Sequence, residues 1–427
     1  MSPAPPRSGL PGYEEASARI AAYAARLARH RPTAGQVPLG KASGRVLAES
    51  LRADTDQPPF ARSTRDGFAC RASEACTHRP LIVAGSTRAG DPPSGPLPRG
   101  AAWEIMTGAP VPSGADAVIM LEHVETAANS GARTIRLLPP RSIEKGENVV
   151  ARGAQACKGE ELLPAGTYIG AAQIALAASC GCAALKVFAK PRVAILATGE
   201  ELVSIQSSPA PGQIRNSSSA MLAAMVSAAG GAAWILPIAR DTPRSLDAAL
   251  ARSATADLLL ITGGVSAGKF DLVEPALARA GGCFHCTGVR IQPGKPLVFG
   301  ERPRAGTKSK QKNRRIQCFF GLPGNPVSSA VTFLLFAAPV LAALAGRIHR
   351  GPRFALAQLT SDAKAKPGLT RFLPAACTFA GPLPQVAPVP WEGSGDMAAM
   401  ARANCFLVVP EDADRLHAGT SVRILLI

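Results

Sequence analysis

The stretch Phe319–Phe333, FFGLPGNPVSSAVTF, decides how this chain is read. It reads as a short apolar strand, a turn of two glycines and two prolines, and then a helix. Asn325 stands at the capping position, Pro326 fits the first helical turn, and Ser328 and Ser329 follow closely. A helix launched from such a turn presents free backbone N–H groups and the positive end of its dipole, a setting for a phosphate or another oxyanion. A well-capped structural helix fits the same residues. A second turn of the same kind, in ITGGVSAGKFD (Ile261–Asp271), follows an apolar strand at Asp257–Ile261 and tips the balance toward a ligand site.

Around these two turns, strands and helices alternate. Strands are expected at Val193–Ala197, Ala233–Ile238, Asp257–Ile261, Phe284–Ile291 and Ile316–Phe320. Helices are expected at Ser217–Ala229, Pro243–Ser253, Leu272–Ala280 and Pro326–Ala345. This alternation predicts a doubly wound α/β domain, a parallel sheet with helices on both faces, whose ligands gather at the carboxyl ends of its strands. Three polar turns fall there: Thr198–Leu202 (TGEEL), Thr262–Asp271 and Gly321–Ser328. Gly263, Gly264 and Gly268 let backbone approach an anion closely. Glu200, Glu201 and Asp271 supply carboxylates, and Lys295, in RIQPGKPLVFG, a cation between two prolines. Carboxylates beside a phosphate site point to a bridging divalent cation, most often Mg2+. Simple capping of a following turn accounts equally well for Glu200 and Glu201. Neither glycine-rich turn is a Walker loop or a GxGxxG fingerprint, which disfavours ATP hydrolysis and dinucleotide binding. No Ser/His/Asp or Cys/His constellation stands out.

The remainder separates by texture. Glu14–His30 is Ala-rich with helical spacing of its apolar residues. From Arg52 to Ser142 short β-like runs (PLIVAG, DAVIMLEHV, TIRLL) alternate with Gly/Pro turns. Lys158–Leu185 returns to the texture of the N-terminal helix, and the end of the chain has short strands closing in SVRILLI. The expected domains are therefore 1–51 with 146–190, an inserted β-rich domain at 52–145, the α/β domain at 191–348, and a small β domain at 349–427. A length of 427 residues accommodates several cores. The ten cysteines are scattered; in Cys283–Cys286 (CFHC) a strand would point the two sulfurs to opposite faces, so reduced thiols are expected. The apolar stretches Ile169–Leu185 and Val331–Leu344 fall short of a membrane span, Pro339 interrupting the second, and the start lacks a leader pattern; the expectation is a soluble, cytoplasmic protein. The net charge is +17, and seven bases with no acid crowd into Arg302–Arg315, read as a solvated loop. No nucleic-acid-binding pattern accompanies that run.

These segments resemble the molybdopterin molybdenumtransferases, the MoeA and gephyrin E-domain family. The resemblance rests on Asp257–Asp271 (DLLLITGGVSAGKFD), Pro293–Pro296 (PGKP) and Gly321–Ser328 (GLPGNPVS). It continues through Pro58–Ala69 (PPFARSTRDGFA), Met106–Glu122 (MTGAPVPSGADAVIMLE), Thr198–Leu202 and Gly212–Leu222 (GQIRNSSSAML), in the family's order over nearly the whole chain. It implies a four-domain homodimer with a MogA-like α/β domain, whose cleft joins the α/β domain of one subunit to the β-rich domain of the other. It implies a reaction of adenylylated molybdopterin with molybdate and Mg2+ that yields molybdenum cofactor and AMP. It also implies partnership with molybdopterin adenylyltransferase and molybdoenzyme chaperones. Carried over residue by residue, Asp66 and Thr107 are the polar groups contributed across the cleft, and Glu201 and Asp271 the acids beside adenylate and metal. Pro323, Gly324, Asn325 and Pro326 shape the turn, while Gly263, Gly264, Ser266, Lys295 and Ser328 contact phosphate and pterin. Thr107 capping a turn, and Asp66 making an Asx-turn before Gly67, are the alternatives from local geometry.

The chain departs from the family pattern at Lys269, where an acid is usual, and at Gln155, where an Asp is usual; Phe68 and Gln292 are milder changes. Two function classes fit this diverged member. One is an active molybdenum insertase, favoured by Asp66, Thr107, Glu201, Asp271 and Lys295. The other is a paralogue that binds, delivers or scaffolds without efficient insertion, favoured by Gln155 and Lys269.

Overall fold

The computed structural model describes residues 9–129, 131–264, 272–305, 316–348, 351–364 and 366–427. The chain divides into two compact units: Met1–Ala48 with Gly166–Ala171 and Ala184–Ile427, and Glu49–Ala165 with Ala172–Ala183.

At the centre of the first unit lie β1 (Arg192–Ala197), α1 (Ser217–Ala228), β2 (Ala232–Ile235), α2 (Pro243–Ser253), β3 (Leu258–Thr262), α3 (Val273–Arg279), β4 (Cys283–Thr287), β5 (Val298–Pro303), β6 (Ile316–Leu322) and α4 (Pro326–Leu344). The strands are ordered β2-β1-β3-β6-β5-β4. The first four run parallel and β5 is antiparallel to both its neighbours, so the expected parallel sheet is mixed at one edge. Alternate residues serve opposite layers. Val193, Ile195, Leu258 and Leu260 pack toward α1 and α4, whereas Ala194, Leu196, Leu259 and Ile261 pack toward α2 and α3. Helices cover both faces, which is why these strands read as unbroken apolar runs.

Two expectations change. The strand expected to reach Ile291 ends at Thr287, and Ile291–Gln292 pairs instead with Thr370–Arg371. The helix expected at Pro326–Ala345 is present, but the apolar stretch within it, expected to fall short of a membrane span, does not: α4 has 19 residues with mean hydropathy 2.1, long and apolar enough to cross a membrane by length and composition. It is 83% buried and is the core helix of this unit. A π-helical turn at Phe333–Ala337 widens the ladder just ahead of Pro339, where the proline ring and missing N–H spoil the regular pattern. Beyond its end, Gly346 adopts φ 77° while Arg347 N–H donates to the Ala342 carbonyl.

The N-terminal helix, Tyr13–Leu27, buries Tyr13, Ala16, Ile20, Tyr23, Ala24 and Leu27 in the same core as α4. That spacing is one helical face. The C-terminal strands Phe354–Leu359, Thr370–Thr378, Gln385–Pro388, Cys405–Val409 and Ser421–Leu426 pair in a closed ring, which leaves those five no free edge. All ten cysteines are free thiols; in β4, Cys283 is exposed and Cys286 buried, as strand alternation predicts.

The second unit is built on a six-stranded sheet in the order Ala117–Met120, Gly67–Cys70, Ala101–Ile105, Leu81–Thr87, Ala132–Leu137 and Val124–Asn129. Its core is Phe68, Ile119, Ile135 and Leu137 with smaller neighbours. Gly67 is required here, because a Cβ would stand 1.9 Å from the Ile119 carbonyl oxygen. The outgoing and returning chains are zipped together. Arg52 pairs with Glu161 and Ser63 with Val149, and Gln57 N–H donates to the Ala156 carbonyl at 2.8 Å.

Candidate active site

In the first unit, β1, β3 and β6 are adjacent and parallel, so the turns after them emerge side by side. Direct bonds hold them. Thr198 N–H donates to the Thr262 carbonyl at 3.0 Å, and Gly263 N–H to the Leu322 carbonyl at 3.3 Å. The Thr262 and Ser329 hydroxyls both donate to the Pro323 carbonyl. Glycine is forced where backbones cross. At Gly263, φ is +91° and a Cβ would sit 2.3 Å from the Thr198 carbonyl oxygen; at Gly264, φ is +63° and a Cβ would meet Val273 at 2.7 Å.

The GNP turn differs in detail from its sequence reading. Asn325 is the N-cap residue and its carbonyl accepts Ser329 N–H, but its side chain makes no cap bond. Its Nδ2 donates instead to the Ser394 hydroxyl at 2.8 Å, and the Ser394 carbonyl accepts Val327 N–H at 3.1 Å. One helix-end donor is therefore already satisfied by the C-terminal strands' loop. The N–H groups of Gly324, Asn325 and Ser328 have no backbone acceptor among the described residues. Gly324 and Asn325 are exposed, so those donors face solvent at the positive end of α4. Pro323 is buried and Pro326 occupies the first helical turn.

The carboxylates divide by use. Glu200 accepts Asp241 N–H at 3.2 Å, and Asp241 in turn accepts the Thr198 hydroxyl. The exposed Glu201 carboxylate folds back over Gly199, where a Cβ would come within 2.6 Å of it. Among the described residues nothing pairs with Glu201, and no group of three His, Cys, Asp or Glu side chains is arranged to hold a metal. Asp271 and Ser266 lie outside the described residues, as does Lys269. Lys295 is exposed, in a loop whose Gly294 packs against Thr332 of α4, where a Cβ would stand 2.6 Å from the methyl group.

Asp66 and Thr107 belong to the second unit, and its register explains their meeting. Gly67 pairs with Ile105, so the residues just before one strand and just after the other lie together. One Asp66 oxygen accepts both the Thr107 N–H, at 2.6 Å, and its hydroxyl, at 2.7 Å. These bonds hold the exposed carboxylate below its ordinary pKa. Asp66 thus caps the turn that carries Thr107. Gln155 is exposed, and its N–H donates to the Gln57 carbonyl at 2.8 Å.

Sequence reasoning missed Asp241 and Ser394. Asp241 follows the strand next to β1 in an alternating unit, so an acid in that position was a usable signal. Nothing local marks Ser394, which lies 69 residues from Asn325.

Comparison with known proteins covers most of the chain. Residues 12–181 match the MoeA N-terminal region (domain I and II), 194–343 the probable molybdopterin binding domain, and 357–427 the MoeA C-terminal region (domain IV). A molybdopterin molybdenumtransferase of Nostoc is 36% identical over 73% of this chain and 69% of its own length. One of Haemophilus influenzae is 32% identical over 90% and 92%. The crystal structure of a molybdopterin biosynthesis moeA protein from Pyrococcus horikoshii aligns with a TM-score of 0.77 at 27% identity, covering 98% of this chain and all of that one (100%).

Proposed function

Because the chain belongs to the MoeA family of molybdopterin molybdenumtransferases, we propose that it is a molybdenum insertase of molybdenum cofactor biosynthesis. It takes adenylylated molybdopterin and molybdate and releases AMP. The observation that carries this reading is the convergence of three strand-end turns with unengaged N–H donors at Gly324, Asn325 and Ser328. Pterin phosphate, adenylate and molybdate are all anions, and such a cradle contributes oriented donors and part of the positive potential that holds them.

In this reading Gly263 and Gly264 line the approach for phosphate and pterin, Pro323 and Pro326 fix the turn, and Ser266 joins them on the family resemblance alone. Lys295 supplies a mobile positive charge. Glu201, at liberty where Glu200 is engaged, serves with Asp271. Mg2+ takes one or two carboxylates and fills its remaining positions with phosphate and water, so a lone unengaged Glu201 beside an anion cradle fits it. When bound, Mg2+ supplies charge neutralisation at the phosphoanhydride. A free carboxylate also moves protons as oxo ligands leave molybdate.

The working form in this proposal is a cytoplasmic homodimer in which the second subunit contributes Asp66 and Thr107. Molybdopterin adenylyltransferase supplies the substrate and molybdoenzyme chaperones receive the product. The paralogue reading is not favoured, because the cradle and Glu201 are retained despite Gln155 and Lys269. AMP release from adenylylated molybdopterin, with molybdate and Mg2+, tests the proposal; Asp271→Ala is expected to suppress it. Tight pterin binding without any AMP from the unmodified protein would sink it.

A further inference from the structure

The opposite pole of the same sheet has its own chemistry. There β1 begins at Arg192, β3 follows Asp257, β6 begins at Ile316, and the chain leaving β5 passes Arg304. Together with Leu27–Thr33 and Leu344 they enclose a cavity of about 360 Å3. Its basic lining is Arg31, Lys190, Arg192 and Arg304, with His30 beside them, against a single acid, Asp257; Thr33 and apolar side chains (leucine, proline, Ala189 and Ile316) supply the rest.

Asp257 is already spent. It pairs with Arg304 and accepts the Arg192 backbone N–H at 2.8 Å. Arg31 and Arg192 lie over aromatic rings, Phe188 at 6.0 Å and Trp234 at 5.4 Å, with no carboxylate partner among the described residues; Lys190 has none either. Two residues before Arg304, buried Arg302 donates to Gln317 at 2.6 Å, to the Leu250 carbonyl at 2.7 Å and to the Ser253 hydroxyl at 2.9 Å. All three acceptors are neutral, so among the described residues this charge has no carboxylate partner either; burial lowers its pKa to about 10, which leaves it protonated at neutral pH.

We propose that this cavity is a second anion site, specific for a compact organic polyanion such as a phosphate ester or polycarboxylate. Its volume suits a small ligand and not a nucleic-acid groove. The apolar lining accepts an organic body while Arg31, Lys190 and Arg192 take at least two negative charges. It is separate from the cradle: the five residues of β3 put roughly 17 Å between the two poles.

Isothermal titration of the full chain with inorganic pyrophosphate, and separately with citrate, at about 0.15 M salt (where exposed charges are screened) tests this. For at least one probe, one site per subunit beyond any binding at the cradle is expected, retained in Lys295→Ala. The double variant Arg31→Ala/Lys190→Ala is expected to weaken it about tenfold or more while keeping the parent's thermal midpoint, because both side chains are exposed. Which probe binds distinguishes phosphate from carboxylate chemistry. No binding of either probe, binding unaffected by the double variant, or loss in Lys295→Ala instead overturns the proposal.

Discussion

At the carboxyl ends of β1, β3 and β6, among the described residues, backbone donors stay open and a carboxylate, Glu201, is at liberty. At the amino ends of the same strands the carboxylate is consumed, by Arg304 and the Arg192 N–H, and cations are left over. The strands between are nearly all apolar and buried. A single sheet therefore keeps two anion-attracting surfaces apart by the length of its strands. The first uses oriented N–H groups, whose direction is fixed by the fold; the second uses flexible side-chain charge. Fixed dipoles suit a reaction in which charge develops at one place, whereas mobile cations suit capture of a ligand whose shape is loosely defined.

The strongest way to break this contrast is Glu201→Ala. Removing the free carboxylate is expected to lower the rate of AMP release by about 10²–10³, the usual cost of deleting one preorganised charge-handling group; a rate within twofold of the parent would place the chemistry elsewhere. Next comes Gly263→Ala. Its Cβ collides with a backbone oxygen at positive φ, so a destabilisation of about 1–3 kcal/mol is expected in urea denaturation, with AMP release reduced beyond the loss of folded protein. The double variant Arg31→Ala/Lys190→Ala sharpens the contrast from the other pole, because AMP release is expected to stay within twofold of the parent. A smaller effect is expected from Ser394→Ala, which removes one hydrogen bond to Asn325 worth about 1 kcal/mol and slackens the GNP turn. Its readout is a raised KM for the pterin substrate with kcat little changed.

The distinction between a carboxylate in use and one at liberty extends to Asp66. Its folded pKa is depressed, so its contribution to stability is present above the ordinary carboxylate value near pH 4 and is lost as pH falls through the depressed value. The difference in thermal midpoint between the parent and Asp66→Asn is accordingly expected at pH 6 and to shrink toward pH 3. A difference unchanged over that range would mean that the Thr107 bonds do not favour the charged form.

The sequence made the alternating strands and helices legible because each carries its pattern locally: period two or unbroken apolar in β1 and β3, a proline at the first turn of α4. The cradle glycines were legible for a similar reason, since few other residues allow such close backbone crossings. What stayed hidden was tertiary. Asn325 looks like a capping side chain until Ser394 is known to compete for it, and Glu200 and Glu201 look equivalent until Asp241 engages one of them. The helix at Pro326–Ala345 was legible, but no residue pattern announces the π-helical turn that carries it past Pro339. The meeting of Asp66 and Thr107 depends on strand register across 41 residues.

The zipped legs of the second unit have an engineering consequence. Because Gln57 meets Ala156 and Ser63 meets Val149, with the register slipping by one residue between them, the tip bearing Asp66 and Thr107 is indexed to its base like a rack with one tooth skipped. Lengthening both legs by two residues would preserve the pleat and displace the tip by roughly 7 Å, whereas one added residue in a single leg would turn its side chains to the wrong face. Reach in this unit is thus a quantity that changes in paired steps.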